Sequence, residues 1–113
     1  MRALIRVSRN EVRPQEPARG VKRWILVYGS NLMVVYFEVD EGSRVPMHSH
    51  VHEQAGYILK GGMVFRTPEG EVTVGEGESY IFKSNEPHEA YNPGPGKAVV
   101  LEIFSPPRED FLK

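Results

Sequence analysis

The chain has 113 residues, 40% hydrophobic and 26% charged, with 14 basic residues against 15 acidic ones. That is the length of one ordinary domain, and the near-balanced charge argues against both a wholly basic nucleic-acid binder and a disordered acidic tail. Cysteine is absent, which excludes disulfides, iron–sulfur clusters and thiol catalysis and fits a reducing cytoplasm; no apolar run approaches the ~18 residues of a membrane span, and the run after Arg2 is too short for a signal peptide.

Basic residues gather at the start. Residues 1–23 hold Arg2, Arg6, Arg9, Arg13, Arg19, Lys22 and Arg23 against Glu11 and Glu16, a net of +5, while the remainder holds seven basic and thirteen acidic residues, a net of −6. Such a segment is either a basic arm for nucleic acid or a stretch lying on an acidic body, its own or a partner subunit's. No aromatics interleave and no helix-turn-helix pattern follows, so the second reading is preferred and no nucleic-acid partner is expected. Residues 1–20 are read as an N-terminal strand or arm, 21–105 as a barrel and 106–113 as a tail, all one domain.

Helical periodicity is nearly missing along the chain. Short alternating or apolar runs recur instead, bounded by Gly, Pro, Asn and Asp. Val21 to Tyr28 is a strand ending at Gly29-Ser30-Asn31. Leu32 to Val39 follows, with Met33, Val35, Phe37 and Val39 on one face. After the turn at Asp40 to Ser43 comes a polar strand, Arg44 to His50, then an apolar one, Gly56 to Lys60. Met63 to Thr67 and Glu71 to Val74 form a hairpin across Pro68-Glu69-Gly70. Ser79 to Phe82, His88 to Asn92 and Lys97 to Ser105 complete the series. At the end, Ser105-Pro106-Pro107 resembles the start of a short helix, with Ser as N-cap and Pro in the first turn. About nine strands at this spacing predict an all-β fold, a barrel or double-sheet jelly roll.

All four histidines fall in two places: His48, His50 and His52 together, and His88 alone. On a strand, residues i and i+2 share a face ~7 Å apart, so two imidazoles there can converge on one ion. Gln54 has the same parity, although a turn can intervene. A solvated or pH-sensitive histidine cluster is the bland alternative; three histidines in five residues favour a metal site.

Gly42-x5-His48-x-His50-x3-Gln54-x6-Gly61 resembles the first cupin motif, with Gln where Glu is commoner. Gly77-x5-Lys83-x-Asn85-x2-His88-x3-Asn92 resembles the second, with Lys for Pro and Asn for Gly. Asn tolerates the left-handed backbone that Gly supplies, so the latter change is mild. The resemblance implies a small single-domain cupin: a jelly-roll β-barrel with one divalent transition metal held by His48, His50, Gln54 and His88. His52 has no ligand role in that pattern and is read as standing behind the ligands or at the pocket rim. Mn, Fe, Co, Ni, Cu and Zn all accept imidazole with an amide oxygen, so the ligand set does not choose among them.

A narrower likeness lies in His48-Ser49-His50-x-His52-Glu53-Gln54-x-Gly56-Tyr57 and in the ending Phe104-Ser105-Pro106-Pro107-Arg108-Glu109-Asp110-Phe111-Leu112. Both are similar to the pectin-degradation cupins, which convert 4,5-unsaturated uronates from pectate or alginate lyases to the linear keto form. That family carries Asp-x-Phe-x3-Arg at its last strand; this chain has Glu102-x-Phe104-x3-Arg108. The resemblance implies Glu102 and Arg108 as catalytic residues, with Arg108, Phe104 and Tyr57 binding a small anionic sugar-like substrate. The bland readings are a surface charge for Glu102, an ion pair with Glu109 or Asp110 for Arg108, and core packing for Phe104 and Tyr57. If Val99, Leu101 and Ile103 pack in the wall, Val100, Glu102 and Phe104 face the other way; that side is either lumen or solvent, and the likeness in the tail favours the lumen. An oxygen-dependent dioxygenase and a non-catalytic sugar- or anion-binding module are the alternative functions. A cytoplasmic homodimer is expected, with the N-terminal strand as the element exchanged between subunits and no membrane partner.

Overall fold

The computed structural model describes residues 4–113 and contains ten strands. They are β1 (Gln15–Ala18), β2 (Val21–Tyr28), β3 (Met33–Val39), β4 (Arg44–His48), β5 (Glu53–Lys60), β6 (Gly62–Thr67), β7 (Gly70–Gly75), β8 (Ser79–Phe82), β9 (His88–Tyr91) and β10 (Ala98–Ser105). A six-stranded sheet, in the order β1-β2-β3-β10-β5-β8, faces a four-stranded one, β4-β9-β6-β7. Every neighbouring pair is antiparallel. This is the expected all-β jelly roll. Among the described residues no helix is long and apolar enough to cross a membrane.

Alternation of side chains decides what faces inward. On β3, Met33, Val35 and Val39 are buried, as the pattern of that strand predicts. On β10 the inward set is Ala98, Val100, Glu102 and Phe104, while Ile103 is exposed. One buried cluster runs from Val21 and Val39 through Ile58, Met63, Phe65, Val74 and Phe82 to Val100. A second, of Met33, Val35, Phe104 and Phe111, closes one end of the barrel, and Phe37 packs against both.

Three expectations about elements are corrected. The strand expected to run from Arg44 to His50 stops at His48, because residues 49–52 turn the chain from one sheet to the other. The C-terminal helix is only a 3-10 turn, Glu109–Leu112, whose N-cap position is Arg108 and not Ser105. Two successive prolines leave residues 106 and 107 without N–H donors, and the turn begins only beyond them. Within the basic N-terminal segment, Arg9 lies on aromatic rather than acidic faces of its own domain: its guanidinium sits 5.1 Å from the Trp24 ring centroid and 4.7 Å from that of Tyr36. That is cation–π contact, which charge counting alone does not reveal. Arg2 lies outside the described residues.

Candidate metal centre

His48 and His88 stand directly opposite each other in the β4–β9 pair of the smaller sheet. Gln54 comes from β5 in the larger sheet, so the two layers meet at this point. His50 is delivered by the turn between them, which is pinned where Asn85 N–H donates to the His50 carbonyl at 2.7 Å. Asn85 has φ 66°, the left-handed conformation anticipated for an Asn in place of Gly. The same turn receives a bond from the Ser84 hydroxyl to the Val51 carbonyl. The i, i+2 strand geometry therefore does not bring His50 to the site; a buttressed turn does. The ring centroids of His48 and His88 are 4.4 Å apart, those of His48 and His50 5.4 Å, and those of His50 and His88 5.1 Å.

Each imidazole of this triad uses Nδ1 against a main-chain carbonyl two residues away. His48 Nδ1 meets Pro46 O at 2.8 Å, His50 Nδ1 meets His52 O at 3.1 Å, and His88 Nδ1 meets Glu86 O at 2.9 Å. A carbonyl accepts only, so each Nδ1 carries the proton and each Nε2 presents a lone pair. This is the outer arrangement that orients metal-binding histidines. The potential ligand atoms of the three lie within 4.8 Å of one another. His88 Nε2 is buried without any partner among the described residues, a cost of about 1–3 kcal/mol that a bound cation would offset.

The contact between His50 Nε2 and Gln54 Oε1, 3.1 Å, is the most telling. Gln54 Nε2 donates to Glu102 Oε2 at 2.7 Å, which turns the amide oxygen toward His50. Nδ1 already holds the His50 proton. Two lone pairs therefore face each other with no hydrogen between them. Donors about 2.1 Å from one ion and at right angles are ~3 Å apart, so the spacing is that of two ligands of one cation. Protonating His50 instead is disfavoured: burial, reinforced by the charges of Arg108, His88 and His48, lowers its pKa to about 4. Burial also lowers that of His88. The His50 and His88 imidazoles are therefore neutral and available at pH 7, and His48, His50 and His88 could hold a metal with Gln54 beside them.

A cavity of about 180 Å³ opens inside the barrel against this group, lined among others by His48, Gln54, His88, Glu102, Phe104 and Arg108. Glu102 is 7% exposed and faces the lumen. Its Oε2 accepts from Gln54 and from the Tyr80 hydroxyl, while Oε1 has no partner among the described residues. Burial raises the Glu102 pKa, opposed by the two hydrogen bonds and by Arg108. Tyr80 is also pushed up by burial and by the Glu102 charge, so it stays a donor. Phe104 lines the cavity and lies edge-on to His50 at 6.0 Å between centroids. Arg108 keeps an ion pair with Asp110, Nε to Oδ1 at 3.1 Å and Nη2 to Oδ2 at 2.9 Å, yet its side chain is only 11% exposed and borders the cavity. The ion pair with Asp110 is thus present, and the side chain borders the cavity as well.

Tyr57 is a correction. It is 45% exposed, on the outer face of β5 between the inward Gly56 and Ile58, and does not line the cavity. Tyr80, absent from the sequence reading, takes the aromatic place. The sequence carries one signal for it, its shared parity with the apolar Phe82; the strand pairing supplies the rest, setting Tyr80 opposite Gly56, which is opposite Glu102. A Cβ on Gly56 would lie 2.2 Å from the Tyr80 ring, so the missing side chain is the gap through which the phenol crosses β5 to reach Glu102. His52 stands behind His50, as expected, giving its carbonyl to the His50 ring with centroids 5.3 Å apart.

Comparison with known proteins agrees with this geometry. Residues 35–104 match the family described as Cupin domain. The chain is 32% identical over 100 residues to the pectin degradation protein KdgF of Dickeya dadantii (strain 3937), covering 87% of this chain and 89% of that protein. It superposes on the structure of KdgF from Halomonas sp. with a TM-score of 0.86 and 25% identity, over 95% of this chain and 99% of the other. An RmlC-like cupin from Shewanella frigidimarina gives 0.87, also at 25% identity, over 96% of both chains. The polyketide cyclase RemF from Streptomyces resistomycificus gives 0.79 at 26% identity, over 92% of this chain and 82% of that one. The chain belongs to the cupin family and, within it, is a KdgF-like cupin.

Proposed function

We propose that this chain is a metal-dependent isomerase of carbohydrate metabolism that opens the ring of 4,5-unsaturated uronates, the products of pectin or alginate lyases, to the linear keto form. The observation that carries the reading is Glu102: a buried carboxylate with one free oxygen, hydrogen-bonded to Gln54 of the histidine group, in a cavity bordered by arginine. The likeness to KdgF supplies the substrate class. His48, His50, Gln54 and His88 would hold one divalent transition metal (Mn, Fe, Co, Ni, Cu or Zn), whose neutral ligands leave its full +2 charge to polarise substrate oxygens as a Lewis acid.

The remaining work falls to the chain's own groups. Glu102 takes the proton of the hemiacetal hydroxyl as the bond between that carbon and the ring oxygen breaks. The same proton is returned to C4 of the former double bond, leaving an aldehyde and a ketone. The reaction is an isomerisation and needs no oxidant. Burial makes Glu102 a stronger base than an exposed carboxylate, suited to such a transfer. Tyr80 and Gln54 both hold Oε2, leaving Oε1 as the reacting oxygen. Phe104 gives the sugar ring an apolar wall.

The test uses metal-loaded protein and the unsaturated uronate of a pectate lyase digest, following loss of the absorbance of its conjugated double bond. Glu102→Gln keeps an oxygen that accepts from Tyr80 and Gln54 but cannot carry the proton. Its metal content should be normal and its kcat lower by roughly 10²–10⁴-fold. Glu102→Asp should retain activity. A Glu102→Gln protein as fast as wild type removes the carboxylate from the mechanism and with it the reading.

A further inference from the structure

The likeness in the tail assigns the substrate carboxylate to Arg108, but in the structure that guanidinium is engaged: Nε and Nη2 both donate to Asp110, whose pKa the contact lowers. A second arginine borders the same cavity. Arg23 lies on β2 between the inward Val21 and Ile25, half-buried, a cation in the apolar phase of a strand. Its Nε donates to Gln15 Oε1 at 2.7 Å, and Gln15 Nε2 donates in turn to the Phe111 carbonyl at 2.9 Å. Its guanidinium stacks 3.6 Å from the Phe111 ring centroid, while that of Arg108 is 4.1 Å from the same ring. The Arg23 plane is therefore fixed on one edge by a neutral amide and on one face by an aromatic ring. Its two Nη groups have no acceptor, and no carboxylate pairs with it, among the described residues.

A half-buried guanidinium next to another is an unfavourable state for the free protein. Burial and the Arg108 charge both press against its cationic form, offset in part by the Asp110 charge, which is already committed to Arg108. A preorganised planar fork with unused donors, in a cavity shared with His48, His88 and Glu102, fits a carboxylate bidentately. We propose that Arg23 is the carboxylate-binding residue of this cavity, its free Nη edge receiving the acid group of a uronate, while Arg108 remains bound to Asp110. The proposal deepens the uronate reading above and rests on it for the identity of the sugar. It makes β1 and the tail part of the binding site, because Gln15 and Phe111 set the orientation of the fork.

Calorimetric titration of metal-loaded protein with galacturonate, and with galactose as the uncharged counterpart, tests the clamp apart from turnover. Arg23→Gln should weaken galacturonate roughly 10–100-fold, the worth of a charged hydrogen-bonded pair. Galactose binding, metal content and the circular dichroism spectrum should not change. Arg23→Lys keeps the charge without the fork and should fall between the two, which guards against a glutamine variant that folds poorly. Arg108→Gln should weaken galacturonate less than Arg23→Gln does. The proposal is overturned by unchanged galacturonate affinity in Arg23→Gln, by equal loss of both sugars, by a larger loss in Arg108→Gln, or by a wild type that does not prefer galacturonate to galactose. Turnover separates the two readings: wild-type protein that binds galacturonate but leaves the unsaturated uronate intact refutes the isomerase and keeps the clamp, whereas an active enzyme whose KM is untouched by Arg23→Gln refutes the clamp alone.

Discussion

Replacing Gly56 by Ala should unseat Tyr80 from Glu102. Gly56 lies between them on the middle of three adjacent strands, paired with Glu102 on β10 and with Tyr80 on β8. A Cβ there would stand 2.2 Å from both Tyr80 Cζ and its hydroxyl oxygen, and 2.7 Å from Cε1. Ordinary carbon contacts are ~3.5–4.0 Å, so the phenol must withdraw by more than about 1 Å. β5 cannot yield easily, because it is paired on both sides, so the displacement falls on Tyr80 and the edge strand β8. Overpacking of this kind costs ~1–3 kcal/mol, and losing the bond to a buried carboxylate adds ~1–3 kcal/mol. A total on the order of 3 kcal/mol corresponds to a fall in Tm of roughly 12 °C for a domain of this size. Thermal unfolding of Gly56→Ala, Tyr80→Ala and the double variant measures it. In the Tyr80→Ala background there is no ring to displace, so Gly56→Ala should then cost little, and the non-additivity reports the contact itself. Equal effects of Gly56→Ala in both backgrounds, or a wild-type Tm for the single variant, would refute the crossing of β5 by Tyr80.

Two further outcomes concern the histidines. Elemental analysis should find metal lost or greatly weakened in folded His48→Ala, His50→Ala and His88→Ala proteins, and retained in His52→Ala, whose contribution to His50 is a main-chain carbonyl that the substitution leaves in place; metal in the triple variant at the wild-type level would show the site to be misassigned. Protons compete with the cation for Nε2, so affinity should fall as pH falls, and the His50 pKa, lowered to about 4, keeps that one ligand deprotonated well below pH 6.5. In metal-free protein the His50 ring resonances should titrate near pH 4, and a midpoint near the ordinary 6.5 would contradict the burial that lowers it.

Much of this protein follows from local pattern. Alternation on β3 and β10 sorted residues onto shared faces, with Glu102 in phase with Val100 and Phe104, because side-chain direction alternates along a strand; that this face is the lumen was favoured by the likeness in the tail and is seen in the burial of Glu102. The cluster of histidines at 48–52 marked one part of the site, the resemblance to the cupin motifs implied that Gln54 and His88 join it, and the left-handed turn at Asn85 follows from what an Asn backbone tolerates. Tertiary structure decided the rest. Which sheet each ligand comes from, and that a turn rather than a strand carries His50, depend on how the layers meet. Tyr57 and Tyr80 look alike in sequence, yet one faces out and the other reaches Glu102 over a glycine on the neighbouring strand, since only cross-strand register brings Gly56 opposite both. Arg23 and Arg108 likewise differ through their partners: Asp110 occupies one fork, while Gln15 and Phe111, the latter far away in the chain, hold the other at the cavity wall. Parity fixes the face of a residue, but pairing across strands fixes its company, and that pairing joins segments far apart in the chain.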